Sequence, residues 1–171
     1  MRLSLRMPII AAIICLSFPA LSWAEAFTVK YVDDGDTMIC ENRDITIRVR
    51  LAAINAPEVS RDKKAEGQPF SRESKQVLEK LILGKVVDIK GYGLDDYNRL
   101  LAVVNYNGKN INLEMIRQGM AEFYKRKPPK GLNTSLYENA EEEARRASRG
   151  IWSQGDKYIS PSEWRRTRGE D

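Results

Sequence analysis

The 171-residue chain contains no histidine. Without an imidazole there is no histidine general base, no His-ligated zinc and no Ser-His or Cys-His nucleophile pair. Cysteine is almost as scarce, with only Cys15 and Cys40. Cys15 lies in an N-terminal apolar run, and Ile14 before it is too bulky for a lipoprotein processing site. Once that run is removed Cys40 stands alone, so no intramolecular disulfide can form. Flanked by Met38 and Ile39, Cys40 reads as a buried, inert thiol. No soft-ligand cluster is present, so any metal must be a hard ion held by oxygen. A large net charge is also missing. The formal charge is +4, and loss of Arg2 and Arg6 with the leader lowers it to +2, too mild an excess to argue for nucleic acid by itself. Internal repeats and low-complexity segments are absent.

What is there begins with a leader pattern. Arg2 and Arg6 precede an apolar stretch over residues 7–21 that is too short to span a bilayer comfortably, and Ser22-Trp23-Ala24 supplies the small residues of a signal-peptidase site. Residues 1–24 are expected to be a signal peptide cleaved after Ala24, with Ala26 as the alternative site and a retained anchor as the alternative fate. Secretion or a periplasmic location follows, without stable membrane association after cleavage. The remaining length suits one domain over 25–152, with a monomer expected. Residues 153–171 show turn formers and charge but no sustained period, so a polar surface or disordered tail is expected there.

The pattern predicts five strands. Residues 27–32 and 37–40 flank Asp33-Asp34-Gly35-Asp36, which has the composition of a hairpin turn. Residues 45–51 alternate strictly, with Ile45, Ile47, Val49 and Leu51 on one face and Arg50 on the other. Residues 86–89 and 100–106 complete the set, and Asn107-Gly108 makes a turn after the last. A helix is expected over 70–82 from the spacing of Phe70, Val77, Leu78, Leu81 and Ile82, with Pro69 in its first turn and Gly84 as its stop. A short helix over 111–118 is stopped by Gly119. A third starts near Ser135, where Ser135 and Glu138 have capping-box spacing, and ends at Gly150. This order fits an α+β, mainly β class and a small five-stranded barrel of the OB type.

Three motifs carry the chemistry: Asp34-Gly35-Asp36-Thr37, residues 50–58 (RLAAINAPE) and Asp96-Tyr97-Asn98-Arg99. A phosphodiester resists hydrolysis because its anionic oxygens repel hydroxide and negative charge builds in the transition state. A catalyst must position a water, take its proton and stabilise that charge. The candidates for those functions, in that order, are Asp36 with the 55–58 turn, Glu58, and the pair Arg50 and Arg99. Arginine serves phosphate better than lysine because its planar fork holds two oxygens at once. Alone, each motif is commonplace: an Asp-Gly-Asp turn, an Ala-Pro-Glu loop, a surface ion pair. Basic clusters at 125–130, at Arg145, Arg146 and Arg149, and at Arg165, Arg166 and Arg168 are solvated surface unless a neighbouring site needs a polyanion.

Together the motifs make the chain resemble the staphylococcal-nuclease-like (thermonuclease) domain family over roughly residues 28–152. The matching segments are VDDGDT, RLAAINAPE, DDYNRLLAVV, Asn112 with Leu113, RQGMA and GIW. The resemblance implies a five-stranded OB barrel with three helices and calcium-dependent cleavage of DNA or RNA. It implies that Arg50 and Arg99 contact the scissile phosphate, that Glu58 activates or orients water, and that Asp36 ligates Ca2+. The second metal-binding aspartate of the family falls on Asn55, whose amide oxygen can still coordinate at lower charge, and a backbone carbonyl donor falls on Ala56. Weakened calcium binding is therefore expected. Asn98 stands where the family often has glycine and tolerates positive φ. Tyr97 and Tyr124 are placed near the nucleotide, with Phe123 as a further stacking candidate, and stacking tolerates sequence. The competing reading is an OB module that binds nucleic acid and cuts slowly or not at all because Asn55 compromises the metal; an envelope adhesion domain on a retained anchor is a third.

Overall fold

The structure is a computed structural model that describes residues 25–60, 65–126 and 128–168; the leader assigned from sequence to 1–24 lies outside them. Strands β1 (Glu25–Val32), β2 (Thr37–Asn42) and β3 (Ile45–Leu51) form an antiparallel meander. A two-residue strand β4 (Ile54–Asn55) and helix α1 (Ser71–Ile82) follow. Strands β5 (Val86–Leu94) and β6 (Leu100–Tyr106) pair antiparallel, and β7 (Lys109–Asn110) leads into α2 (Ile111–Arg117). Strand β8 (Glu122–Phe123), α3 (Ser135–Arg146), a 3-10 segment (Gly150–Lys157) and α4 (Pro161–Arg168) complete the chain.

The sheet order β3-β2-β1-β5-β6-β7 is closed by a parallel pairing of β3 with β6, in the register Val49–Leu100, Arg50–Leu101 and Leu51–Ala102. Closure removes the exposed edges of five strands and makes the barrel of the OB class. The alternation read in residues 45–51 holds at its closed end, where Val49 and Leu51 are buried, and fails at Ile45, which is 56% exposed because the strand has run past the core. Inside, Val29, Met38, Leu51, Leu78, Val104 and Ile116 form one core with the inner faces of α1 and α2. Asn112 pins α2 to the barrel: its Oδ1 accepts from Val104 N, and its Nδ2 donates to the Ala52 and Ala102 carbonyls, all at 3.0 Å. An amide does this because it accepts on one side and donates on the other.

Four expectations are corrected. Helix α1 starts at Ser71 because Phe70 takes a left-handed N-cap conformation (φ 68°), so Pro69 lies before the helix. The Ser135/Glu138 capping box is not formed, since Thr134 is already helical and receives the amides of Tyr137 and Glu138 on its carbonyl. Strand β5 runs on to Leu94. Residues beyond Trp152 are folded as the 3-10 segment and α4. That segment is anchored by Gly119 and Gly150, both left-handed, which meet so closely that a Cβ on Gly119 would lie 2.2 Å from the Arg149 carbonyl oxygen.

Cys40 is fully buried, and burial pushes its thiol up to about 12. Protein beginning at Glu25 is expected to show no reaction with an aromatic disulfide reagent until denaturant is added, when one thiol per chain appears. Rapid labelling of the native protein would contradict this placement.

Candidate active site

The β1–β2 turn sets the floor of the site. The Asp34 carboxylate accepts the Asp36 amide at 2.9 Å, which fixes the turn and points Asp36 inward. Glycine at 35 is required by packing: a Cβ would lie 1.9 Å from Ser74 Oγ on α1 and 2.7 Å from Ala56 Cβ. Asp36 is buried. Its Oδ1 accepts from Thr37 Oγ1 at 2.9 Å and from Arg50 Nη1, and its Oδ2 from the Ala56 amide at 3.0 Å. Burial alone would raise its pKa, but the Arg50 charge and these donors hold it below the usual carboxylate range. The Asp34 carboxyl is pushed up to about 7, by burial first and then by the Asp36 charge.

Arg50 leaves β3 on the side opposite the core, as the alternation required, and its side chain is 15% exposed. Arg99 reaches the same region from the β5–β6 turn. Asn98 adopts φ 57° there, the left-handed position expected of it. Asp95 builds the turn by accepting the amides of Tyr97 and Arg99, and it also grips the Arg99 side chain through Nε at 2.8 Å and Nη2 at 2.7 Å. Arg99 Nη1 remains toward Thr37 Oγ1 at 3.5 Å. Because β3 and β6 are neighbours in the closed barrel, the two arginines line one groove despite their distance in sequence.

Glu58 follows the short β4 strand. Gln68 accepts its backbone amide at 3.1 Å and donates its own amide to the Glu58 carbonyl at 2.9 Å. The Glu58 carboxylate pairs with Arg165 of α4. Burial, then the Asp36 charge, raise its pKa, against the opposing pull of Arg165. A groove of about 460 Å³ is lined by Asp34, Asp36, Arg50, Glu58, Arg99 and Arg165, with Ala56, Tyr97 and Tyr124 also on its walls. Tyr97 is 73% exposed beside Arg99, whose guanidinium carbon lies 5.3 Å from the ring centre.

Asn55 joins the cluster from behind the groove and is fully buried. Its Oδ1 accepts from Arg50 Nη2 at 3.3 Å and from Arg165 Nη1 at 3.4 Å, while its Nδ2 donates to Glu122 Oε1 at 2.9 Å and Ser162 Oγ at 3.3 Å. The amide therefore suits this position: a carboxylate would lose both donations and face Glu122. Phe123 is buried against Tyr137, with ring centres 5.8 Å apart, and belongs to the core rather than to a stacking surface. The basic cluster at 145–149 is engaged structurally, Arg145 over the Trp152 ring and Arg149 on the Arg117 carbonyl.

Sequence reasoning missed the supporting roles of Asp95 and Glu122 and the presence of Arg165. The i,i+4 spacing of Asp95 and Arg99 was a usable signal. For Arg165, the signals were its place in the basic cluster with Arg166 and Arg168 and the residues Tyr158, Pro161 and Trp164 in an otherwise polar tail.

The model of the family described as staphylococcal nuclease homologue matches residues 48–154. An uncharacterized endonuclease of Haemophilus influenzae is 41% identical over 139 residues, covering 81% of this chain and 71% of that protein. A probable endonuclease LCL3 of Clavispora lusitaniae is 37% identical over 130 residues, covering 72% of this chain and 55% of that protein, and its counterpart in Meyerozyma guilliermondii is 37% identical over 136 residues, covering 75% and 59%. The chain thus spans little more than half of the fungal relatives. The matched residues run from β3 through the barrel closure to the 3-10 segment and carry Arg50, Glu58 and Arg99, and on this ground the chain belongs to the family of staphylococcal nuclease homologues.

Proposed function

We propose that the protein is a nuclease that hydrolyses phosphodiester bonds of DNA or RNA with low sequence specificity. The observation that carries this reading is the convergence of Arg50, Arg99 and Glu58 on one open groove. Arg50 and Arg99 present guanidinium N–H groups to a phosphate and meet the charge that grows on its oxygens. Both are held in advance by carboxylates, Asp36 and Asp95, so little reorganisation accompanies the reaction. Glu58 takes the proton of the attacking water, and its raised pKa brings it nearer the range in which a base can also return that proton. Tyr97 and Tyr124 offer ring faces to bases or sugars, which accounts for tolerance of sequence.

Calcium is part of the proposal. Among the described residues no group of three or more Cys, Asp or Glu side chains is arranged to hold a metal ion. The donors around the groove nevertheless fit a hard cation in chemistry. They are all oxygen, and the β1–β2 turn brings the carboxylates of Asp34 and Asp36 together, where a dication would favour the charged form of both. Asp36 and Asp34 would hold the ion with the Ala56 carbonyl, and Asn55 would add its amide oxygen only by giving up a guanidinium. A bound cation would supply further electrostatic stabilisation of phosphate charge.

Asn55→Asp tests this site with two readouts. Calcium affinity by calorimetry is expected to tighten, because a charge is added beside Asp36. Stability in urea without metal is expected to fall by about 1–3 kcal/mol, because the donations to Glu122 and Ser162 are lost and two carboxylates meet. Unchanged calcium affinity would place residue 55 outside the metal site.

A plasmid-nicking assay with calcium and with chelator tests the function as a whole. Calcium-dependent nicking is expected, and binding without nicking under both conditions would favour a nucleic-acid-binding module instead. Export as a secreted or periplasmic monomer completes the proposal. Among the described residues no helix is long and apolar enough to cross a membrane.

A further inference from the structure

Helix α4 lies outside the residues matched by the family model, yet it reaches the groove. Its seat is built into the body of the protein. Pro161 is buried, Ser162 Oγ receives Asn55 Nδ2, and the Ile159 carbonyl receives Gln68 Nε2 at 2.7 Å. Tyr158 packs on Trp152 with ring centres 4.6 Å apart, and its hydroxyl donates to Glu122 at 2.6 Å. These contacts fix the direction of Arg165, whose side chain keeps a quarter of its surface exposed to the groove.

Arg165 and Arg50 both donate to the same Asn55 oxygen, so two guanidiniums converge on one neutral acceptor. Their mutual repulsion is offset by anions, Asp36 for Arg50 and Glu58 for Arg165. A strand in the groove brings further anions with the oxygen spacing that a guanidinium fork matches. We propose that Arg165 is a third phosphate-binding guanidinium, delivered by the C-terminal helix, which exchanges Glu58 for a substrate phosphate when a strand enters. The exchange releases the Glu58 carboxylate from its ion pair when a phosphate is in place. This inference rests on the nuclease reading and extends it to a residue beyond the matched domain.

The test measures binding of a fluorescent single-stranded DNA to the full chain in excess chelator, so that the strand stays intact, as a function of salt. For Arg165→Gln the slope of log affinity against log salt is expected to shrink by about 0.7, the loss of one phosphate contact on a single strand, whereas Arg165→Lys keeps the slope. An unchanged slope in Arg165→Gln would reduce Arg165 to a pin for α4. Tighter binding with faster cleavage would make the helix a plug and equally overturn the proposal. Should thermal melting show that Arg165→Gln has lost its fold, the wild-type protein decides. The Arg165 Nε–Hε resonance, assigned by its disappearance in Arg165→Lys, must shift when the strand is added, and a fixed resonance ends the proposal. Wild-type protein that neither binds nor cuts DNA or RNA removes the nuclease reading itself, whereas binding and cutting unaltered by either variant removes only the role of Arg165.

Discussion

Arg99→Ala is expected to lower turnover by about 10²–10³-fold while leaving the barrel as stable as before, within about 1 kcal/mol. The residue and its partner Asp95 are 18% and 14% exposed at the groove edge, and Asp95 continues to accept the amides of Tyr97 and Arg99 when the side chain is gone. The turn therefore survives and the loss falls on the chemistry. Lysine should rescue poorly, because one ammonium cannot both satisfy Asp95 and reach the groove as the fork does. Arg50→Ala is a less clean experiment. The structure pairs Arg50 with a carboxylate that is only 4% exposed. Removing the guanidinium strands a buried charge at a cost of about 3–5 kcal/mol, so lost activity and lost stability arrive together. Steady-state rates measured alongside urea unfolding separate the two. Near-wild-type turnover in Arg99→Ala would remove it from the reacting phosphate.

Glu58→Gln is expected to lose about 10²–10⁴-fold in turnover. The exchange keeps the shape of the side chain, and the backbone bonds between residue 58 and Gln68 do not depend on the carboxylate. Helix α4 also stays seated, because its bonds to Asn55 and Gln68 are independent of Glu58. Single-turnover cleavage at saturating calcium isolates the chemical step from binding. Retention of most of the rate would show that this carboxylate neither takes the proton nor orients the water.

Much of the barrel was legible because its strands are long enough to show a period. Residues 45–51 alternate, and that alternation alone turned Arg50 away from the core. The left-handed turn at Asn98 was legible only through the family resemblance, which often has glycine there, together with the tolerance of asparagine for that conformation. Strands β4 and β8 were not, since two residues carry no period and their pairing of Ile54 with Phe123 and Asn55 with Glu122 is set by tertiary contact. Helix α4 escaped for a related reason. It docks through Pro161, hydrogen bonds and an ion pair rather than an apolar stripe, and periodicity sees only stripes. In the site, the residues proposed to meet phosphate were readable from type and order, while those that hold them were not. Asp95 and Glu122 looked like any surface carboxylate until the fold gave each a partner.

The parallel seam between β3 and β6 has three residue pairs, the shortest ladder of the five-stranded barrel. It joins segments far apart along the chain, and Arg50 and Arg99 stand on its two sides. During folding this seam, like the β1–β5 pairing, closes a long loop and carries a larger loop-closure entropy than the hairpins, so it forms after those hairpins have supplied a surface to close upon. No fragment ending before Ala102 can assemble the paired guanidiniums. A partly folded chain, however rich in hairpins, does not bring Arg50 and Arg99 to one groove, so the proposed site exists only once the barrel has closed.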